Sequence, residues 1–550
     1  MLFMSSKRFP KNWVSTMRIA LSLLVTAFVL YGCGKSAAPV GKTDNVFRIG
    51  NRSEVQDLDP HLCAGVAEFR ALGALFEGLC KLDPRTMQPQ PGGAASWTLS
   101  PDGLVYTFQL QPNGHWSDGT PLTAEDFVYA WKRMLTPALG AEYAYLLHCL
   151  KNGKAYNEGK ISDFAQVGVK ALAPTTLEVT LEQPVPYFLS MQIHFAWFPV
   201  PRHVIEKFGP MEKRGTPWTR PGNHVSNGPF MLKDWRPDEI LQTVRNPHYW
   251  DAARVKPDGI DFYPISNEQQ EERRFRTGEL DMTYTVPMHM IAEYKQAHPE
   301  ELVLAPYLQT YYYRFNCTKP PFNDPRVRQA FSMALDREEI ARNVVKAGEQ
   351  PAYVFTPLNT AGYTAAYQVS ADLAKAKQLL AEAGFPDGKG LPPLDLLYNT
   401  SETDKLLSEA VQRQWKERLG ADVRLLNQEY RVYLDSMSRL NYDICRSTWL
   451  GDVLDPINFL ECFLSGQGNN RTGYTSPEYD ALIAQIYAEP DPAKRNPLMQ
   501  QAEARLLQDA PFAPMLYMTQ KFLKRPNITG ADTNLLGYFR WQDFQRGAAK

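Results

Sequence analysis

Seven cysteines, nine histidines and 60 acidic residues are the groups with which this 550-residue chain could do chemistry. Their spacing argues against most of it. There is no GxSxG elbow, HExxH helix or GxGxxG loop, and the GKT at 41–43 lacks the leading glycine of a phosphate-binding loop, since position 36 is Ser. The histidines (61, 115, 148, 194, 203, 224, 248, 289 and 298) are scattered, with no i, i+4 pair on a clear helix. No two cysteines form a CxxC, so zinc ribbons and thioredoxin-like redox pairs have no support. Carboxylates are plentiful enough to supply a glycosidase pair, but no spacing singles one out. What remains is binding, together with one thiol in a special setting.

That thiol is Cys33. Lys7, Arg8, Lys11 and Arg18 precede an uncharged apolar run at 19–30, too short to span a bilayer but suited to a signal-peptide core. The run ends in Leu30, Tyr31, Gly32 and Cys33, which resembles a bacterial lipobox with Tyr31 in place of the usual small residue. The expectation is a leader at 1–32, acylation of Cys33, and a small, polar tether at 33–44. An uncleaved anchor is the alternative, and Met17 is a second candidate start. Removing 1–32 takes away four basic residues and no acidic ones, leaving 55 basic against 60 acidic. That balance is poor for a nucleic-acid binder, which needs a basic surplus to displace counterions. The six later cysteines (63, 80, 149, 317, 445 and 462) allow fifteen full pairings, and the sequence leaves open whether any forms.

The elements that must position a binding site are legible in part. A composition of 44% apolar, 22% charged and 12% aromatic residues is that of a globular protein, and 550 residues imply two to four lobes. Alternation predicts strands at 106–110, 177–181 and 422–426. Helices are expected from the capping pair Thr123 and Asp126 to about Leu135, from Asp336 through Val345, over 371–383 before Gly384, over 406–419 before Gly420, and after Ser476-Pro477. The result is an α/β body.

Several stretches then carry a resemblance: EVQDLDPH at 54–61, LFEGL at 75–79, WSDGTPLTAEDFVYAWKR at 116–133, NGPF at 227–230, RNPHYW at 245–250, PPFNDPRVRQA at 320–330 and AEAG at 381–384. Together they resemble the solute-binding proteins of peptide ABC importers (solute-binding family 5), the oligopeptide-binding group in particular, over about 45–545. The resemblance implies a two-lobed periplasmic clamshell with an extra inserted lobe and mixed sheets flanked by helices. Lobe I would comprise 45–77, 195–308 and 519–550, lobe II 78–194, and lobe III 309–518, with two crossovers as the hinge. It also implies a monomeric, membrane-tethered receptor without cofactor or catalytic residue. Such a receptor would hand short peptides to a permease driven by ATPase subunits. A receptor for a murein peptide, a nickel chelate or a glycan fragment is the alternative within the fold, and an exported hydrolase the alternative outside it.

By the same resemblance Asp452 anchors the ligand's ammonium group, although Asp between Gly451 and Pro456 also suits a turn. Gly65 and Val66, after Ala64, supply one strand edge for the peptide, and the stretch after Arg446 supplies the other. Trp449 and Tyr430 wall side-chain pockets, and Arg446 meets a C-terminal carboxylate. Departures from the pattern are Ala64 for an acid, Arg314 for an acid, Asp404 for a histidine and Val345 for a lysine, with Lys346 next to it. A cross-cleft disulfide is replaced by Gln309 and Leu450. Capture of the ligand's C-terminus is thus expected to be rewritten, with Arg314 a candidate to take it over.

Overall fold

The computed structural model describes residues 45–63 and 65–547, apart from the side chain of Arg431. The leader, the tether with Cys33, and Ala64 lie outside the described residues. The described residues from Val46 onward form one compact unit.

Capping residues place the helices where their chemistry demands. Thr123 and Asp126 close a capping box on the helix Ala124–Leu135, the Ser476 hydroxyl accepts from Tyr479 N at 3.2 Å to start Pro477–Ala488, and Gly420, at φ 70°, ends Glu402–Leu419. The segment from Asp336 departs from expectation. After one α-turn at Arg337–Glu339 it widens into a π-helix, Ile340–Val345. Ile340 and Val345 are both buried, and their i, i+5 spacing is one the wider turn brings onto a single face.

Three main sheets organise the chain. The first orders Val46–Gly50, Gly259–Tyr263, Ile240–Arg245 and Phe230–Arg236, its first pair parallel and the rest antiparallel. The second is an antiparallel sheet in the order Ala94–Leu99, Val105–Leu110, Thr176–Thr180, Val169–Ala173. One continuous apolar core serves both, so they pack as a single half. The quoted motifs turn out to be joints of that half. Asp59 and Arg133, from two motifs, form a buried bidentate pair at 2.8 and 2.6 Å. Glu77 accepts from Tyr249 Oη at 2.6 Å and from Trp250 Nε1 at 2.7 Å, while Asn227 brackets its backbone.

The third sheet has six strands, in the order Gln350–Pro351, Phe512–Leu523, Leu302–Phe315, Ile444–Leu450, Leu394–Asn399, Val423–Gln428. Two apolar clusters cover its faces. Strand alternation sends Tyr311 and Tyr313 into one cluster and Leu308 and Tyr312 into the other. The long strands Leu302–Phe315 and Phe512–Leu523 pair from Leu302↔Leu523 to Arg314↔Phe512, and their register breaks between Pro306 and Thr310. At its far end Phe512–Leu523 reaches the first half through Met282, which bridges both Ile49 and Lys524. Two strands therefore run between the halves, with a bulge midway.

Gln309 and Leu450 stand opposite each other across Leu302–Phe315 and Ile444–Leu450. The expected cross-cleft placement is therefore corrected: they are neighbours within one sheet, because the cleft opens beyond the end of that ladder. All six cysteines among the described residues are free thiols.

Candidate functional site

A cavity of about 280 Å³ lies where the two halves meet. One wall is a helix face. Val66–Leu75 presents Val66, Phe69 and Arg70 to the cavity, an i, i+3, i+4 stripe, with Gly65 just before it in extended conformation. A second wall brings Tyr143, His194 and Phe195, whose rings pack together with centroids 4.2–5.4 Å apart. Burial lowers His194 to about 3, so it faces the cavity as a neutral ring. The third wall comes from the six-stranded sheet: Gln309, Leu450, Gly451 and Asp452.

Asp452 is held by its own loop. Its backbone N–H donates to Asn458 Oδ1 at 2.8 Å. Asp455, three residues on, forms a buried bidentate pair with Arg495 at 2.7 and 2.9 Å. Gly451 has no room for a side chain: a Cβ would sit 2.5 Å from Leu308 Cδ2 and 3.0 Å from Phe459 Cε2. Burial, then the nearby Glu461 carboxylate, pushes Asp452 up to about 7, against hydrogen bonds from Tyr145 and Asn458 that favour the charged form. Glu461 is itself raised, mainly by burial, and accepts from Tyr487 Oη and from Asn458 Nδ2. Asp452 and Glu461 are both half-buried, and two neighbouring carboxylates are a site short of a cation.

Beside this acid lies an open backbone edge. Ile444–Leu450 pairs with 309–315 along its whole length, but its ladder to Leu394–Asn399 stops at Cys445. Arg446 O accepts from Tyr433 Oη at 2.6 Å, and beyond it the edge is free of strand pairing, the geometry needed to accept an extended peptide.

Of the residues expected to contact a peptide, Asp452, Gly65 and Val66 come together in the cavity wall, and the others do not line it. Arg446 instead forms a 2.7 Å pair with Asp404, its guanidinium 5.2 Å from the Tyr311 ring centroid. The two positions thus neutralise each other. Arg314, expected to receive a ligand carboxylate, is 3% exposed and donates to Ser447 Oγ, Asn469 O and Tyr312 Oη at 3.0, 2.9 and 2.6 Å. It braces the strands from inside because alternation along the strand puts it on the same packed face as Tyr312. Tyr430 is 55% exposed and stacks on Tyr433, and Trp449 packs against the core on one side of the sheet. Sequence reasoning missed Tyr143, Tyr145, Glu461 and Arg70. The one available signal was Arg70, a charge on a helix stripe that is otherwise apolar.

The comparisons with known proteins bear on the family and the fold. Residues 88–471 match the family described as bacterial extracellular solute-binding proteins, family 5 middle. The chain is 42% identical over 492 residues to the periplasmic oligopeptide-binding protein OppA of Salmonella typhimurium, covering 87% of this chain and 88% of that one. Among solved structures it is similar to the murein tripeptide-binding protein MppA of Escherichia coli, with a TM-score of 0.81, 35% identity, and coverage of 91% and 98%. It is also similar to the Haemophilus influenzae OppA complex with the peptide RPPGFSPFR, with a TM-score of 0.79, 32% identity, and coverage of 92% and 99%. The two-lobed α/β architecture is common to them, and the chain belongs to family 5 of the bacterial extracellular solute-binding proteins.

Proposed function

We propose that this chain is an extracytoplasmic receptor that captures short peptides between its halves and delivers them to the membrane permease of an ABC importer. It acts by binding, without turnover, tethered through an acylated Cys33. Lobe I would comprise 45–77, 195–308 and 519–550, lobe II 78–194, and lobe III 309–518. The carrying observation is the half-buried Asp452–Glu461 acid beside the strand edge that opens after Arg446. A peptide brings an ammonium group to the first and backbone donors and acceptors to the second, so affinity does not depend on side-chain identity. The strand edge expected at Gly65 and Val66 is corrected: Gly65 is extended but Val66 opens the helix Val66–Leu75, so this side offers a helix N-terminus and no second edge.

Calorimetry tests this on wild type and Asp452→Ala, each with free and N-acetylated peptides. Leaving the ammonium group buried and unpaired costs about 3–5 kcal/mol, or roughly 10²–10³·⁵ in affinity. Acetylation should reproduce that loss in wild type and add little in the variant. Equal binding of free and acetylated peptide by wild type would reduce Asp452 to a turn residue.

A further inference from the structure

Arg70 is 6% exposed, yet its hydrogen bonding is incomplete. Nη1 donates to Gly50 O at 3.1 Å, whereas Nε and Nη2 are buried without a partner. The nearest acid that acts on it, Glu271, is committed elsewhere, accepting from the backbone N–H of Tyr284 at 2.8 Å and of Thr285 at 3.4 Å. Aromatic rings crowd the guanidinium instead: Tyr284, Trp541 and Phe539, with centroids 5.3, 5.5 and 6.0 Å away. A guanidinium does not discharge at any pH the protein meets. Arg70 is therefore a permanent cation in the cavity wall, with two N–H groups unspent.

Those two groups are the informative ones. Nε–H and the Nη2 hydrogen beside it point the same way and form one edge of the guanidinium fork, matched to the two oxygens of a carboxylate. Arg446, the cation that resemblance assigns to a ligand's C-terminus, is closed onto Asp404 and lies outside the lining. Arg70 stands on a helix of the first half, while Asp452 stands on the loop that follows Ile444–Leu450 in the other. The cavity thus has a cationic pole and an acidic pole, one from each half.

We propose that Arg70 is the carboxylate anchor of the cavity, its free Nε/Nη2 edge receiving a carboxylate of the bound peptide while Asp452 receives the ammonium group. This rests on the peptide-receptor reading above and narrows it to short zwitterions whose two charges reach both poles. The carboxylate comes either from the peptide's C-terminus or from an acidic side chain.

The test is calorimetric titration of wild type and Arg70→Gln with alanine peptides of two to five residues. Each is presented as the free acid, as the C-terminal amide, and as an amide carrying one glutamate. Amidation should weaken the best-bound length at least tenfold in wild type and by less than twofold in Arg70→Gln. N-acetylation should remain costly in both. If the glutamate restores wild-type affinity to the amide, the anchor takes a side chain; if it does not, the anchor takes the C-terminus. Equal amidation penalties in the two proteins, or a wild type that gains from neither the C-terminal carboxylate nor the glutamate, overturn the anchor and leave the receptor reading standing. Failure of every peptide to bind wild type overturns both. Arg70→Lys, which keeps the charge but loses the fork, carries the same comparison if the glutamine protein does not fold; there the amidation penalty should shrink without vanishing.

Discussion

At the scale of residues, Asp452 is a carboxylate that the unliganded fold holds close to the balance point between acid and anion. Burial and Glu461 raise it to about 7, far above an ordinary Asp. A ligand ammonium group favours the anion, so binding must expel whatever proton is present. Affinity should therefore fall by about tenfold per unit as pH drops below 7, and binding at pH 6 should release close to one proton. On the alkaline side the limit is the peptide's own amine, which titrates near 8, so the optimum lies at about pH 7–8. Titrations in buffers of different ionisation enthalpy count the proton directly; uptake on binding would contradict the assignment. The same raised value has a stability consequence of opposite sense. The folded chain binds this proton more tightly than the unfolded one, so the site's contribution is full at low pH and is lost as pH rises through 7. Asp452→Asn should erase that dependence and melt higher than wild type at pH 8.5 without ligand. Little of this was visible in the sequence. An Asp between glycine and proline reads as a turn, and it is burial in the folded loop, together with Glu461 nine residues away, that raises it.

At the scale of elements, the sequence spoke clearly wherever a backbone end needed a side chain. Thr123 with Asp126, Ser476 with Pro477, and Gly420 each mark a boundary through a local hydrogen bond or a left-handed turn. It said less where tertiary burial decided, as in the π-helix Ile340–Val345, and it misplaced the pair Gln309 and Leu450. Their geometry yields a test. Gly451 N donates to Leu308 O at 2.8 Å, so the adjacent pair, Gln309 and Leu450, is one that exchanges no backbone hydrogen bonds. Cα atoms of such pairs lie about 4.5 Å apart, within reach of a disulfide. Gln309→Cys with Leu450→Cys should therefore oxidise readily, and the oxidised protein should still bind and release peptide, since both residues belong to one sheet. A disulfide across the cleft would instead trap ligand or exclude it. Exchange of a labelled peptide from oxidised and reduced protein separates the two outcomes.

At the scale of the molecule, the question is what a ligand does to two halves joined by two strands. The strands Leu302–Phe315 and Phe512–Leu523 are paired on both sides of the break at Pro306–Thr310, and there Tyr307, Leu308 and Gln309 face a single residue, Met518, of the partner strand. A bulge of this kind bends and twists the pair locally while leaving the flanking ladders intact, so rotation of one half against the other concentrates there. The loop carrying Asp452 also reaches across: Val453 packs into the core of the first half, and Leu454 against Leu82, Met87 and Ile193. These contacts hold the halves together, but they are few beside the acid and the cation that face an apolar cavity from opposite sides. Closing the halves on Asp452 and Arg70 without a counter-ion for either is unfavourable, and closing them on a zwitterion that pairs with both poles is favourable. That difference in contact free energy is what shifts the population. Saturating short peptide should accordingly reduce the radius of gyration in small-angle scattering and raise the melting temperature, by about 2.7 kcal/mol of linkage at a hundredfold excess over Kd. Arg70→Gln with Asp452→Asn removes both charges, so this variant should already scatter as the compact form without ligand and change little when peptide is added. If the variant is as extended as the unliganded wild type, charge in the cavity is not what holds the clamshell open.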